Sequence, residues 1–141
     1  MTPPPVHATL PPRASEAAIQ RAVLAYLAHR LPRGSLVHHS PHGATGKGLS
    51  AAIAVKTARS MGAMDGWPDL TLVVRGRLYA MECKTSRGTL SKAQKAVRDA
   101  LVAQGVPYAV VRSVDDAKSC CAVWESEWEA LPSHARGGGF P

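Results

Sequence analysis

The sequence predicts an α/β fold in which a mixed β-sheet is flanked by helices. Segments with helical and strand patterns alternate along its 141 residues in the order helix, strand, helix, two strands, helix, strand, helix. Such alternation is typical of a sheet covered by helices. The two consecutive strands, 69–74 and 77–84, are rich in apolar and β-prone residues, and they reverse direction at Arg75-Gly76. We therefore expect a β-hairpin at the centre of the fold.

The remaining elements follow from periodicity and end signals. Helices are predicted over 15–31, 49–61, 91–105 and 113–131. Those at 15–31 and 91–105 carry apolar residues at steps of four, as expected for one buried face. The helix at 113–131 begins with the spacing of a capping box. The segments 35–40 and 106–113 are predicted as the other two strands.

The ends of the chain differ in composition from the region between them. Residues 1–14 contain five prolines, and 132–141 contain three consecutive glycines. Such segments have little to pack, so we expect a disordered arm and a disordered tail. The region 15–131 is long enough to form one domain with its own core.

Charge and cysteine content limit the classes of protein to consider. The formal net charge of +7 favours a polyanionic partner, and nucleic acid is favoured over a membrane because no basic amphipathic helix is present. No apolar run has the length of a membrane span, and the N-terminal residues lack the apolar region of a signal peptide. Three cysteines without a C-x-x-C pair argue against a disulfide framework or a zinc ribbon. We expect a soluble, cytoplasmic protein.

Two acids and a lysine occupy the predicted hairpin, where charge is costly. Because side chains alternate along a strand, Glu82 and Lys84 share one face and Cys83 lies on the other, in the core. If Arg75-Gly76 forms a two-residue loop, Asp69 lies directly opposite Glu82, although a loop one residue longer or shorter would shift this pairing. Opposed carboxylates repel unless a cation joins them, and Mg²⁺ prefers oxygen ligands. The hairpin therefore predicts a divalent metal site.

Five short motifs occur in order between about residues 16 and 116. They are E-x-x-x-Q at 16–20, G-x-P-D at 66–69, E-x-K at 82–84, L-S-x-x-Q at 90–94 and V-V-R-S-V-D-D at 110–116. Together they resemble the virus-type replication–repair nuclease (VRR-NUC) family of the PD-(D/E)xK superfamily. The resemblance implies a restriction-endonuclease-like fold.

The family resemblance also implies roles for individual residues. Asp69 and Glu82 match the metal-binding acids of the family, and Glu16 matches an additional acid at the metal. Lys84 matches the catalytic lysine, and Gln94 matches a glutamine that supports the site. The implied cofactor is Mg²⁺ or Mn²⁺.

Two of these residues also have a purely structural explanation. Glu16 lies in a first helical turn, where the helix dipole favours an acid. Gln94 has capping-box spacing from Ser91, and that role does not exclude contact with the site.

The implied function is metal-dependent hydrolysis of DNA that is selective for branched structures. The implied setting is replication or repair in a bacterium or a phage. A non-catalytic DNA-binding protein that retains the fold is the alternative, but the complete set of acids and lysine argues against it. Candidate phosphate contacts are the basic residues Lys47, Lys56, Arg59, Lys92 and Lys95, and for each of them alone a solvated surface charge is the competing explanation.

The stand-alone relatives that this chain resembles imply a homodimer, in line with the general frequency of two-fold association. Trp124 and Trp128 lie four residues apart on the last helix and, with Val123, form a candidate interface, since aromatic residues are enriched in interface cores. Packing of the two tryptophans onto their own domain is the competing explanation.

Overall fold

A computed structural model describes residues 13–41 and 48–133, and within these ranges it contains the elements in the predicted order. They are α1 (Glu16–Arg30), β1 (Leu36–His39), α2 (Leu49–Ser60), β2 (Leu70–Val74), β3 (Arg77–Cys83), α3 (Lys92–Ala103), β4 (Tyr108–Val111) and α4 (Val114–Ala130). Each element lies inside its predicted range. Most of the predicted arm and tail lies outside the described residues.

The four strands form one mixed sheet in the order β1-β2-β3-β4. The pairs β1–β2 and β2–β3 are antiparallel, whereas β3–β4 is parallel. A parallel pair needs a crossover connection, and α3 provides it. The predicted mixed sheet flanked by helices is confirmed.

The β2–β3 hairpin has the two-residue turn that the sequence suggested. Arg75 and Gly76 both have positive φ, at 51° and 81°. Two such residues match the twist of the strands that they join. Val74 pairs with Arg77 and Leu70 with Met81, so the same register brings Asp69 level with Glu82. The expected juxtaposition of the two acids is therefore correct.

The two faces of the sheet pack against different helices. On one face, Leu72 and Tyr79 belong to a large core cluster with residues of α1 and α4, including Val23 and Leu27. On the opposite face, Ala80 packs with residues of α3 in a smaller cluster. Because side chains alternate along β3, the acid of this strand lies on the α3 face.

The tryptophans of α4 are part of the main core. Trp124 and Trp128 are 8% and 2% exposed, and their rings lie 4.9 and 6.0 Å from the Tyr79 ring. Side chains four residues apart share one helix face, and here that face meets the sheet. Packing within the domain is thus the correct explanation, and the predicted subunit contact through these two rings is wrong. Val123 lies on another side of α4 and is 73% exposed.

No helix within residues 13–41 and 48–133 is both long enough and apolar enough to cross a membrane.

Candidate metal centre

Asp69 is held rigidly at the start of β2. It is 3% exposed, and its carboxylate Oδ2 accepts a hydrogen bond of 2.8 Å from the Cys83 amide on β3. Its carbonyl oxygen accepts a second bond of 3.0 Å from the Ser40 amide at the end of β1. These bonds from neighbouring strands give the carboxylate a defined position.

Glu82 is fully buried within β3. Its Oε1 accepts a hydrogen bond of 3.2 Å from Gln94 Nε2, whereas the buried Oε2 has no donor among the described residues. Burial, followed by the neighbouring Asp69 carboxyl, raises the pKa of Glu82 from its ordinary 4.5 to about 9, and the charge of Lys84 opposes this rise. A carboxyl that keeps its proton because it is buried beside a second carboxyl is suited to bind a cation, which would take the place of that proton.

Glu16 completes a group of three carboxylates. It is the first residue of α1 and is exposed. One carboxylate oxygen from each of Glu16, Asp69 and Glu82 lies within 4.8 Å of the other two. The tertiary structure thus brings together all three predicted metal ligands. Because every ligand atom is oxygen, the group fits a hard divalent ion such as Mg²⁺ or Mn²⁺.

Lys84 lies one residue beyond β3 on the same face as Glu82. It is 9% exposed, and its amide donates to Val111 O on β4 at 3.0 Å. Few lysines are buried to this extent unless a negative group is close. Here its charge acts on the Glu82 carboxyl.

Gln94 performs both of the roles that the sequence suggested. Its Oε1 accepts from the Ser91 amide at 2.8 Å, and its own amide donates to Ser91 Oγ at 3.1 Å, which completes a capping box at the start of α3. Its side-chain NH₂ group is not used in the cap and donates a hydrogen bond to Glu82 Oε1. The helix cap therefore fixes the side chain that orients the buried acid.

Cys83 lies on the opposite face of β3, as predicted. It is fully buried in the main core. Burial, with smaller contributions from the nearby acids, raises the pKa of its thiol to about 12. The thiol therefore stays protonated at neutral pH, and it lies in the core on the face opposite the carboxylate of Glu82.

The predicted phosphate contacts differ in their surroundings. Lys56, Lys92 and Lys95 are exposed. Arg59 instead forms an ion pair with Asp65, with Nε 3.2 Å from Oδ1. Its charge is thus partly neutralised, and it ties α2 to the turn that follows. Lys47 lies outside the described residues.

Some residues around the centre were not identified from the sequence. Gln20 Nε2 lies 2.9 Å from His39 Nδ1, and the same ring nitrogen lies 3.2 Å from the Asp69 carbonyl oxygen. Gln20 follows Glu16 by one helical turn, so the E-x-x-x-Q motif places both on one face of α1. That spacing is the signal that would have predicted a link from α1 to the Asp69 segment.

A cleft of about 640 Å³ reaches Gln94, the hydrogen-bond partner of Glu82, but the three carboxylates are not among its lining residues. It lies between α2, the turn at 63–66 and the start of α3, and Gln94 lines it. Most of its walls are small side chains, which leave room for an extended ligand to approach Gln94.

Metal-free protein should lose stability as the pH rises. The folded state holds the Glu82 proton up to about pH 9, whereas the unfolded chain releases it near 4.5. Between these values the unfolded state binds fewer protons, so this carboxyl lowers the free energy of unfolding as the pH increases. We expect the Tm of wild type, relative to that of Glu82→Gln, to fall steadily from pH 5 to pH 8.5 in EDTA.

With Mn²⁺ bound, the Tm of wild type relative to that of Glu82→Gln should instead rise with pH. The ion binds the deprotonated carboxylate, so its binding releases a proton and becomes stronger as the pH increases. Calorimetric titrations in two buffers with different ionisation enthalpies measure that release directly. A Tm difference that does not depend on pH, with no proton released, would contradict this assignment of Glu82.

The mixed sheet, its helices and the acids at the β2–β3 pair define an α/β fold built around an acidic centre. A solved structure described as a VRR_NUC domain protein has the same fold, with a TM-score of 0.61 and 21% sequence identity. The match covers 79% of this chain and 88% of the other. No protein-family model matches the sequence, and no curated protein matches it. The resemblance recognised in the motifs is thus confirmed for the fold.

Proposed function

We propose that this protein is a metal-dependent DNA endonuclease. The observation that supports it most is the meeting of Glu16, Asp69 and Glu82 beside the buried Lys84. Burying charged groups costs free energy, so folding alone gives no reason to gather them in one place. The fold shared with a VRR_NUC domain protein supports the same conclusion.

The three carboxylates would hold Mg²⁺ or Mn²⁺. When bound, such an ion polarises a phosphoryl oxygen and lowers the pKa of a coordinated water. Asp69 and Glu82 are held before the ion arrives, by the Cys83 amide and by Gln94 respectively. This preorganisation reduces the cost of arranging the ligands.

Lys84 supplies a cation next to these carboxylates. A lysine in this position stabilises negative charge that develops on the phosphate during attack, or orients the attacking water. Its burial excludes bulk water and strengthens the interaction. Gln94 contributes indirectly, because it keeps the Glu82 carboxylate in one orientation.

DNA would approach along the cleft between α2 and α3. Lys92 and Lys95 lie on the first turn of α3, one of the helices that border the cleft, and are the phosphate contacts proposed here. Contacts of this kind recognise the phosphate backbone rather than base edges. Lys56 lies on α2 three residues after Ile53, on the same helix face, and is not assigned to the cleft.

DNA binding should therefore weaken steeply with salt. Each lysine that contacts a phosphate releases counterions, so the double variant Lys92→Gln/Lys95→Gln should lower the slope of log K against log[salt] by about 0.7–0.9 per lysine. Fluorescence anisotropy without metal measures this slope. Lys118→Gln, which removes an exposed lysine of α4, is the control and should leave the slope unchanged. Sequence-specific binding that is insensitive to salt would contradict the proposal.

The proposed substrate is branched DNA, and the proposed setting is replication or repair in the cytoplasm.

The proposed active form is a homodimer that presents two sites. Because the tryptophans of α4 lie in the core, the interface must use other residues. Leu49 and Ile53, four residues apart on α2, are 77% and 56% exposed, and we place the interface there.

Light scattering at micromolar concentration should show a dimer for wild type and a monomer for Ile53→Gln. Val123→Gln changes a similarly exposed residue on α4 and should leave the dimer intact. A monomeric wild type that cuts both strands of a junction symmetrically would refute the dimer. A dimer that survives Ile53→Gln would move the interface away from α2.

A panel of labelled DNA structures tests the function directly. Single strands, duplexes, flaps, nicked ends and four-way junctions are incubated with Mg²⁺ and with EDTA. We expect cleavage with Mg²⁺ only, and fastest on branched structures. Binding to DNA without cleavage under any metal would instead favour the non-catalytic alternative.

A further inference from the structure

Arg112 holds the turn that connects Lys84 to helix α3. Its Nη1 donates hydrogen bonds to the carbonyl oxygens of Thr85 and Gly88, at 2.6 and 2.7 Å. The Gly88 amide donates to the Thr85 carbonyl at 3.1 Å, so these two residues close the turn. Hydrogen bonds from a charged donor are stronger than neutral ones, and this guanidinium makes two to one short segment.

Arg112 is itself anchored next to the lysine. It follows Val111, the last residue of β4, whose carbonyl accepts the Lys84 amide. The Asp116 carboxylate in the first turn of α4 accepts the Arg112 amide at 2.9 Å. The guanidinium therefore extends from a fixed backbone, level with Lys84 on the neighbouring strand.

The turn lies directly against the Lys84 side chain. A Cβ atom placed on Gly88 would lie 3.4 Å from Lys84 Cδ and 3.1 Å from Thr85 Oγ1. A lysine stem has four rotatable carbons and adopts many conformations unless packing restricts it. The turn provides such packing on the aliphatic part of this side chain.

We propose that Arg112 is a positioning residue for Lys84. By holding Thr85 and Gly88, it keeps the turn against the lysine stem and so keeps the ammonium group beside Glu82. The hydrogen bonds described for Arg112 go to Thr85, Gly88 and Asp116, and none goes to the three acids. The consequence for catalysis rests on the proposed nuclease function, whereas the effect on Lys84 does not.

The kinetic test compares Arg112→Met and Arg112→Lys with wild type. We expect kcat of Arg112→Met to fall by roughly 10- to 100-fold, with KM for DNA and Mn²⁺ affinity within about threefold, because a small displacement of a catalytic group is costly while the acids stay in place. Lysine is a point charge and cannot span two carbonyls as a guanidinium does, so Arg112→Lys should recover only part of the loss. Arg98→Met, which removes an arginine paired with Asp99 on α3, should retain wild-type kcat.

A second measurement needs neither DNA nor cleavage. Lysine labelled with ¹³C at Cε gives one NMR signal per lysine, and loss of a signal in Lys84→Met identifies that of Lys84. In Arg112→Met this signal should move towards those of exposed lysines, and the amides of 85–88 should exchange faster with solvent.

The outcomes separate the two proposals. If wild type cleaves no DNA, the nuclease function fails, and the Lys84 signal alone decides the role of Arg112. An unchanged Lys84 signal in Arg112→Met overturns the inference. So does a parallel loss of kcat and Mn²⁺ affinity, which would indicate general disruption of the site. Should Arg112→Met fail to fold, the same comparison is made with Arg112→Lys.

Discussion

Replacing Glu82 with glutamine should abolish DNA cleavage without unfolding the protein. Glutamine keeps the size of the side chain but loses the charge that would hold a divalent ion. Such an ion contributes several kcal/mol of transition-state stabilisation, so we expect kcat to fall by at least about a thousandfold. Asp69→Asn should have a similar effect. Lys84→Met should lower kcat by about 10²–10³-fold, the range found when one stabilising group is removed.

Glu82→Gln should also stabilise the metal-free protein. At neutral pH, wild type must keep the buried Glu82 protonated against its ordinary pKa, because burial and Asp69 raise that pKa. Glutamine is neutral and removes this cost. Glu82→Gln should therefore have a higher Tm than wild type in EDTA at pH 7.5, as measured by circular dichroism.

An exposed acid provides the control for both measurements. Glu129→Gln removes one carboxylate from α4 and should change neither kcat nor the response of Tm to EDTA. Near-normal turnover of Glu82→Gln, Asp69→Asn or Lys84→Met would show that the reaction takes place elsewhere. A gain in stability together with a loss of activity is the pattern expected of a functional rather than a structural acid.

Gly66→Ala should both destabilise the protein and impair the site. Gly66 has φ of +82°, and an added Cβ would lie 2.4 Å from the carbonyl carbon and oxygen of Ala93 and 2.7 Å from the Gln94 amide. The left-handed backbone costs alanine about 1–2 kcal/mol, and overlap with backbone atoms adds about 1–3 kcal/mol. The start of α3 must move to relieve this overlap. Gln94 moves with it, and this residue orients Glu82.

Gly62→Ala is the matched control, because Gly62 also has positive φ, at +100°, but an added Cβ there meets no atom of residues 13–41 and 48–133 within 4 Å. It should show the backbone cost alone and retain activity. The difference in the free energy of unfolding between the two variants, from urea denaturation, isolates the overlap. Equal destabilisation of the two, with equal activity, would mean that Gly66 does not position α3.

The periodicity of helices and strands and the length of the turn were sufficient to predict the secondary structure. They also predicted the part of the metal centre that lies within the hairpin. Alternation along β3 places Glu82 and Lys84 on one face, and the two-residue turn at 75–76 brings Asp69 level with Glu82. These relations involve neighbours within one hairpin, where the period of the strand and the length of the turn determine geometry. The five motifs also predicted the fold, because they occur along the chain in the same order as the helices and strands that carry them.

Other features depended on how the elements pack. The tryptophan spacing on α4 defines a face but not what covers it, and only the packed sheet showed that Tyr79 lies against both rings. Similarly, the sequence did not show that Arg59, a predicted phosphate contact, forms an ion pair with Asp65, because only the fold brings the two side chains together. A sequence determines which side chains share a face, whereas their partners come from elements distant along the chain.

The sequence by itself determined the eight elements and the acids and lysine that share the hairpin, and it predicted the hairpin register on the condition of a two-residue loop. Only the tertiary structure decided that the Glu16 carboxylate meets those of Asp69 and Glu82, that Gln94 both caps α3 and binds Glu82, and that Arg112 holds the turn after Lys84. The physical reason is the range of the interactions. Hydrogen bonds and carboxylate groupings act over a few ångströms, and their partners here come from helices and strands far apart in the sequence, which only the packing of α1, α3 and β4 on the hairpin brings within reach.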